Sequence, residues 1–186
     1  MIVLASASPR RAELLRNAHI HFTVDPADIP EIVRPGEGPA DFAQRAAREK
    51  ARAVARRRPK DIVLGADTVV AVGEEILGKP ADAEDARRML ELLSGRSHQV
   101  ITGVCIVSDG SELSSFATTT VTFAALTPEE IGDYIATGEP MDKAGAYGIQ
   151  GVASRWATRL EGCYFNVVGL PVPLVFRMLK DKGMKI

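Results

Sequence analysis

A run of strand-forming residues interrupted by one carboxylate constrains this chain most. Residues 62–72 read IVLGADTVVAV, and a short apolar run with β-branched residues is typical of a buried strand. An ionised carboxylate inside such a strand costs several kcal/mol unless a cation or hydrogen bonds meet it. We therefore expect Asp67 to have a partner, for which a metal ion or a catalytic water is one candidate. The alternative is that Asp67 caps a turn at the end of a strand.

Composition narrows the class of protein. With 186 residues, the chain is predicted to form one domain, residues 1–186, with room for two lobes. The net charge of −1 disfavours a protein that coats nucleic acid, so we expect no stable nucleic-acid binding. No apolar run approaches the roughly 18 residues of a membrane span. Cys105 and Cys163 lack metal-ligand spacing, which favours reduced thiols in a cytosolic protein.

A helix start rich in hydroxyls and arginines follows the first strand. Ser8 is a good N-cap and Pro9 suits the first helical position, so a helix is predicted over residues 9–17. Arg10 and Arg11 then lie in the first turn, where cations oppose the helix dipole. A bound anion would account for them, because free backbone N–H groups, hydroxyls and two guanidiniums form a phosphate cradle. The alternative is that both arginines are solvated surface residues.

The longest helical pattern, residues 39–58, carries a lysine on its inward face. Alanines and a valine form one stripe at helical spacing, and Lys50 lies in the middle of that stripe. Lys50 either snorkels to solvent or points its ammonium group into a polar pocket. The preceding residues 25–38 are rich in proline, glycine and acids and predict a surface loop. Glu31 in this loop either reaches a site as a metal ligand or remains solvated, as most loop glutamates are.

Two further loops carry candidate ligand-binding groups. Lys79 lies in a tight Gly-Lys-Pro loop, where it is either a phosphate contact or an exposed turn residue. Residues 142–151 read DKAGAYGIQG, and their three glycines let the backbone approach a ligand closely. Gln150 can read a base edge with one donor and one acceptor face, and Tyr147 can stack or cap. The alternative for this loop is a structural turn.

Other elements read as scaffold. β-Branched residues over 98–107 and 114–126 flank an Asp-Gly turn and predict a hairpin. His98 opens the first of these strands and is predicted to be a hydrogen-bonded scaffold residue. A second pair of strands is predicted over residues 155–160 and 163–168.

Cations and carboxylates together suit a polyphosphate ligand. Arginine and lysine side chains hold phosphates, and a divalent cation between phosphate oxygens and carboxylates completes the pattern. The residues that can supply these charges are Arg10, Arg11, Lys50, Lys79, Glu31 and Asp67.

In its sequence motifs the chain resembles the Maf family of nucleoside triphosphate pyrophosphatases, also described as septum-formation inhibitor proteins. The matching motifs follow one another in order over nearly the whole chain. They are LASASPRRAELL (4–15), REKA (48–51), GADTVV (65–70), LGKPAD (77–82), LSGRSHQVITGV (93–104), DKAGAYGIQG (142–151) and NVVGLP (166–171).

The resemblance implies a fold, an activity and a cellular setting. The implied fold is α/β (α+β): a long, bent mixed β-sheet with helices at both ends and a cleft between two lobes, similar to inosine-triphosphate pyrophosphatases. The implied activity is hydrolysis of a nucleoside triphosphate to the monophosphate and pyrophosphate with a divalent cation, Mg²⁺ or Mn²⁺. The DKAGAYGIQG motif resembles the branch that acts on dTTP and UTP. The family is associated with the cytoplasm and often with homodimers.

The resemblance also implies residue roles. Asp67 matches the family's proton acceptor, and Glu31 matches the acidic loop residue, so that both are expected as metal ligands. The positions linked to substrate choice are Arg10, Thr68 and Gln150. The residues expected to face the phosphates are Ser8, Arg11, Lys50 and Lys79. The chain departs from the family at Pro30, where many members have a second acid beside Glu31.

Two alternatives to this function remain open from the sequence. One is a non-enzymatic inhibitor of septum formation that acts through protein partners. The other is a pyrophosphatase of broader or purine-directed choice, including modified bases. Release of pyrophosphate from a panel of nucleotides distinguishes all three.

Overall fold

Seven strands form one mixed sheet in the computed structural model, which describes residues 1–184. The strands are β1 (Ile2–Leu4), β2 (Phe22–Val24), β3 (Ile62–Val72), β4 (Glu75–Leu77), β5 (Ser97–Ser108), β6 (Ser111–Phe123) and β7 (Ala157–Glu161). Their order is β2-β1-β3-β5-β6-β7, and β4 pairs with β3 outside this path. β1 pairs in parallel with β2 and β3, whereas β4 and β7 join their neighbours antiparallel.

Six α-helices flank the sheet within residues 1–184. They are α1 (Pro9–Asn17), α2 (Pro39–Arg57), α3 (Ala83–Leu93), α4 (Pro128–Ala136), α5 (Tyr164–Val168) and α6 (Val172–Asp181). The predicted fold class, α/β with a mixed sheet flanked by helices, is confirmed. No helix among residues 1–184 is both long and apolar enough to cross a membrane.

The chain divides into two compact units. The first unit comprises Met1–Thr68, Thr102–Ala117 and the described part of Gly169–Ile186, and the second comprises Val69–Ile101 and Thr118–Val168. β3, β5 and β6 each contribute residues to both units. The prediction of a single domain over 1–186, like that of a cleft between two lobes, stays a prediction.

In the first unit, α2 approaches the sheet unusually closely at two glycines. A Cβ added to Gly65 on β3 would lie 2.3 Å from the carbonyl oxygen of Ala47 and 2.8 Å from the amide nitrogen of Ala51. A Cβ added to Gly103 on β5 would lie 2.2 Å from the carbonyl oxygen of Ala43. Only a residue without a side chain allows this contact, so the two glycines and the alanine stripe fix how deep α2 sits.

Two capped helices and a cluster of aromatic rings organise the second unit. Asp82 accepts a hydrogen bond from the Asp85 amide as the N-cap of α3, and Thr127 forms a reciprocal capping box with Glu130 at α4. His98, Phe123 and Tyr147 pack edge to face in its core. These capped helices and the aromatic cluster give the unit its own packed interior.

One predicted element is wrong. Residues 163–168 are not a strand, because Tyr164–Val168 form the short helix α5. Gly162, with φ of +128°, turns the chain out of β7. The buried amide of Asn166 then donates hydrogen bonds to the Val100 carbonyl and to the hydroxyl of Thr119, at 2.9 and 3.0 Å. These tertiary bonds override the strand propensity of a short apolar run.

The glycine contacts predict a measurable stability difference. Gly65→Ala should lower the free energy of unfolding by about 1–3 kcal/mol, because the new methyl group meets helix backbone that cannot swing away. Gly78→Ala is the matched control, since its added Cβ meets no atom within 4 Å. Urea unfolding of both variants measures the difference. Equal free energies for Gly65→Ala and the unmodified protein would show that the helix is not held at this distance.

Candidate active site

Asp67 occupies the middle of a strand, not its end. It is the sixth residue of β3, which spans Ile62–Val72, and only 4% of its surface is exposed. The alternative that Asp67 caps a turn is therefore wrong. Gly65 and Asp67 lie two residues apart, so their side-chain positions face the same side of the strand, toward α2.

Lys50 is the cation that meets this carboxylate. Its Nζ lies 2.5 Å from Asp67 Oδ1 and 2.6 Å from Glu31 Oε1, and only 7% of the residue is exposed. Lys50 stands between Ala47 and Ala51, the two residues of α2 that contact Gly65. The polar-pocket interpretation of Lys50 and the interpretation that Glu31 reaches a site thus agree with the geometry.

Burial and the neighbouring cations shift the pKa of Asp67 in opposite directions. Removal from water raises the pKa of Asp67, and the negative charge of Glu31 raises it further. The ammonium group of Lys50 and the guanidinium of Arg11 lower this pKa, but the net direction is upward. A carboxyl group with a raised pKa is better suited to take a proton than an ordinary surface aspartate.

The loop that carries Glu31 is tied to α2 by arginines. Arg45 donates hydrogen bonds to the Ile32 carbonyl at 2.8 Å and to both carboxylate oxygens of Glu37. Arg57 pairs with Asp25 at the beginning of the same loop. Sequence reasoning missed these contacts. The sequence carries one signal for these contacts, the row of arginines on α2 beside an acidic loop. Arginines that are merely solvated give the same pattern, so the signal does not identify an ion pair.

Arg11 is buried and committed mainly to protein groups. Its Nε donates to the Gly169 carbonyl, its Nη1 to Ser6 Oγ and the Ala66 carbonyl, and its Nη2 to Thr68 Oγ1, all at 2.8–3.0 Å. Four of the five guanidinium N–H groups are engaged in this way, which leaves at most one for a ligand. Burial lowers the pKa of Arg11. The alternative of a solvated Arg11 is wrong.

The other predicted site residues near Arg11 are Ser8 and Arg10 at the start of α1, and Thr68 on β3. Ser8 stands at the cap position but makes no side-chain capping bond; its N–H donates to Ser6 Oγ at 3.2 Å. Arg10, in the first turn, is half-buried. Thr68 Oγ1 donates to the Gly169 carbonyl at 3.2 Å and lies 2.9 Å from Thr102 Oγ1. The first unit thus assembles seven of the nine predicted site residues: Ser8, Arg10, Arg11, Glu31, Lys50, Asp67 and Thr68.

Lys79 and Gln150 belong to the second unit. Both side chains are exposed, and their loops are joined by a hydrogen bond of 3.0 Å from the Gly145 amide to the Gly78 carbonyl. His98 is a scaffold residue, as predicted: its Nε2 lies 2.8 Å from the Tyr147 hydroxyl. Burial lowers the pKa of His98 to about 4, so the ring is neutral near pH 7.

Two carboxylates of the first unit, those of Glu31 and Asp67, could hold a divalent cation. Within residues 1–184, no group of three or more His, Cys, Asp and Glu side chains is arranged to hold a metal ion. Glu31 and Asp67 nevertheless direct their oxygens at one cationic atom, the Nζ of Lys50. Mg²⁺ is commonly held by one or two carboxylates together with substrate phosphates, so two carboxylates are sufficient.

Comparison with known proteins places the chain among relatives of the same length. The chain is 57% identical to a protein of Koribacter versatilis, over 98% of this chain and 95% of the relative. It is 51% identical to one of Symbiobacterium thermophilum, over 100% and 95%, and 54% identical to one of Geobacter sulfurreducens, over 98% and 96%. All three relatives are named dTTP/UTP pyrophosphatase.

Structural and family comparisons agree with this placement. The Staphylococcus aureus Ham1 protein has the same fold, with a TM-score of 0.55 and 16% identity over 97% of this chain and 98% of that protein. The family model described as Maf-like protein matches residues 1–182. The chain, whose sequence motifs resemble those of the same family, therefore belongs to the Maf-like protein family.

Proposed function

We propose that this chain is a nucleoside triphosphate pyrophosphatase that hydrolyses dTTP and UTP to the monophosphate and pyrophosphate. Relatives named dTTP/UTP pyrophosphatase, 51–57% identical over nearly the whole chain, support the substrate choice. The observation that carries the chemistry is the buried carboxylate of Asp67, held in mid-strand 2.5 Å from the ammonium group of Lys50. Apolar residues can often replace a buried ion pair without loss of stability, so a carboxylate retained at this costly position is a candidate for a chemical role.

Asp67 is the proposed proton acceptor. The oxygen of a water molecule attacks the α-phosphorus, and the bond from that phosphorus to the oxygen bridging to the β-phosphorus breaks. Pyrophosphate leaves with the bridging oxygen, and the water proton passes to the Asp67 carboxylate. The raised pKa of Asp67 supports this role, because proton uptake by a general base is efficient when its pKa approaches the working pH.

Basic residues are proposed to hold the polyphosphate. Arg10 lies in the first turn of α1, where backbone N–H groups and the helix dipole favour an anion. Lys50 holds Asp67 and Glu31 in place and brings a positive charge to the same point. Ser8 and Lys79 are the further phosphate contacts that we propose. Arg11 offers at most one N–H, so its main role is to fix Ala66 and Thr68, the neighbours of Asp67.

A divalent cation, Mg²⁺ or Mn²⁺, is the proposed cofactor. Glu31 and Asp67 would hold it. When bound, it would neutralise negative charge on the phosphate oxygens and so favour departure of pyrophosphate. Two observations support this assignment: both carboxylates direct an oxygen at the same point, the Nζ of Lys50, and 43% of the Glu31 side chain is exposed to solvent.

Base choice is assigned to Gln150, with Arg10 and Thr68 as the other positions linked to it by family resemblance. The Gln150 side chain is exposed and carries both a donor and an acceptor, which suits the edge of a pyrimidine.

A cytoplasmic setting is also proposed, because both cysteines are free thiols, as in a reducing compartment. Assembly as a homodimer remains a prediction from the resemblance.

A nucleotide panel tests the proposed function. We expect release of pyrophosphate with dTTP and UTP, slower release with dCTP, dATP and dGTP, and loss of activity when EDTA removes divalent cations. Coupled phosphate detection after addition of inorganic pyrophosphatase measures the rates. Preference for purines would favour the broader pyrophosphatase, and no release with any nucleotide would favour the non-enzymatic alternative.

Substitution of the proposed proton acceptor should abolish most of the turnover. Asp67→Asn is expected to lower kcat with dTTP by about 100-fold or more, since the amide cannot take the proton. Asp61→Asn, at the half-buried residue just before β3 that pairs with the N-terminal ammonium group, is the matched control and should keep the unmodified rate. Near-normal turnover by Asp67→Asn would remove Asp67 from the chemistry.

The pH profile should report the charges around Asp67. The acid limb of kcat/KM reports the free enzyme, in which burial raises the pKa of Asp67, so this limb should lie above the ordinary aspartate value of about 4. Glu31→Gln removes a negative charge that raises this pKa, so the acid limb should move to lower pH even if the rate falls. Asp28→Asn removes an exposed charge from the same loop and should leave the limb in place. A shift to higher pH in Glu31→Gln would contradict the assignment of the acid limb to Asp67.

A further inference from the structure

A buried phenol and a carboxylate in the second unit bind the backbone on both sides of Gln150. The hydroxyl of Tyr134, on α4, donates to Glu139 Oε1 at 2.9 Å and accepts the N–H of Gly148 at 3.1 Å. Glu139 Oε2 accepts the N–H of Val152 at 3.3 Å. The three bonds form one chain from Gly148 to Val152, and Gln150 lies halfway between its ends.

The segment around Gln150 is shaped to fit this carboxylate. A Cβ added to Gly151 would lie 2.0 Å from Glu139 Oε1. A Cβ added to Gly148 would lie 2.7 Å from Cε of Lys143, whose Nζ donates to the Glu139 carbonyl at 2.6 Å. At Gly151 the Glu139 carboxylate therefore occupies the space that a side chain would fill, and at Gly148 the Lys143 side chain occupies most of that space.

The beginning of the same segment is fixed independently. The Tyr147 hydroxyl contacts His98, and Gly145 approaches Val70 so closely that an added Cβ would lie 2.8 Å from it. Ala146 is fully buried with φ of +59°, a left-handed conformation that is strained for alanine. Gln150 thus presents an exposed side chain from a backbone that is held before and after it.

We propose that Tyr134 and Glu139 are positioning residues for base selection, which hold the backbone of Gln150 so that its amide meets the pyrimidine edge. The inference rests on the proposed function, because it needs Gln150 to read the base. Neither residue would touch the substrate. Their hydrogen bonds end on the amides of residues 148 and 152, so their loss should disturb recognition of the base more than attack at the α-phosphorus.

Tyr134→Phe is the primary test. The variant removes one hydroxyl and keeps the ring, and so breaks the bonds to both Glu139 and Gly148. We expect kcat/KM for dTTP to fall roughly 10- to 100-fold, mainly through KM, because small displacements of a positioning group have effects of this size. The value for dCTP, which carries an amino group where dTTP has a carbonyl, should not fall in parallel. A merely structural role would lower both alike.

A double-mutant comparison shows whether Tyr134 acts through Gln150. Gln150→Ala should lower the dTTP:dCTP ratio of kcat/KM, and Tyr134→Phe should lower it no further in the Gln150→Ala background. Tyr164→Phe, which removes an exposed phenol hydroxyl from α5 in the same unit, is the matched control and should keep the ratio. Because Tyr134 is fully buried, Glu139→Gln provides a second variant that should lower the ratio by a smaller factor, since its amide keeps one acceptor of two.

The outcomes separate this inference from the proposed function. If Gln150→Ala lowers the ratio but Tyr134→Phe and Glu139→Gln do not, the inference is overturned and the proposed function stands. If Gln150→Ala itself keeps the ratio, both the inference and the role of Gln150 in base choice are overturned. Additive losses in the double mutant would assign Tyr134 a structural role only.

Discussion

The ion pair between Lys50 and Asp67 depends on how closely α2 packs on β3. The helix backbone touches Gly65 without an intervening side chain, and this contact carries Lys50 to a carboxylate two residues further along the strand. Breaking a buried pair by removing one partner typically costs about 3–5 kcal/mol, because the remaining charge has no compensation. The alanine stripe and Gly65 therefore set the distance between α2 and β3, and the ion pair between Lys50 and Asp67 depends on that distance.

The two compact units carry different kinds of groups. Every carboxylate assigned to proton transfer or to a cation lies in the first unit, where hydrogen bonds from buried Arg11 fix the strand residues on both sides of Asp67. The group assigned to the base, Gln150, lies in the second unit on a loop held by Tyr134 and Glu139. In both units a buried polar side chain secures backbone next to the group that acts. The proposed roles of Asp67 in proton transfer and of Gln150 in base choice are thus open to separate change by mutation.

The sequence predicted the features that obey local rules. The strand with an internal acid, the inward lysine at its helical position and the helix over residues 9–17 all follow from periodicity or from a cap pattern, and the structure confirms them. Burial of Asp67 was one of two interpretations that the sequence left open, and it carried the expectation of a partner for the buried charge. The family motifs pointed to the same positions.

Other features depend on tertiary contacts and had no local signal. Arg11 looks like any arginine in a first helical turn, yet its bonds reach residues 55 and 158 positions away in sequence. The segment after Gly162 was predicted as a strand because it is short, apolar and β-branched. Its helical form is set by buried Asn166, whose partners lie on β5 and β6. No window of neighbouring residues contains that information.

The left-handed alanine at position 146 has a consequence for the energetics of recognition. A strained residue persists only where the surroundings leave it no alternative, and Ala146 lies beside Gly145 and Tyr147, both of which are fixed by their neighbours. The conformational entropy of this loop is therefore lost when the protein folds, not when a nucleotide arrives. In the base recognition that we propose for Gln150, such preorganisation would let the small difference between two pyrimidine edges appear in affinity, because no binding free energy is spent on ordering the chain.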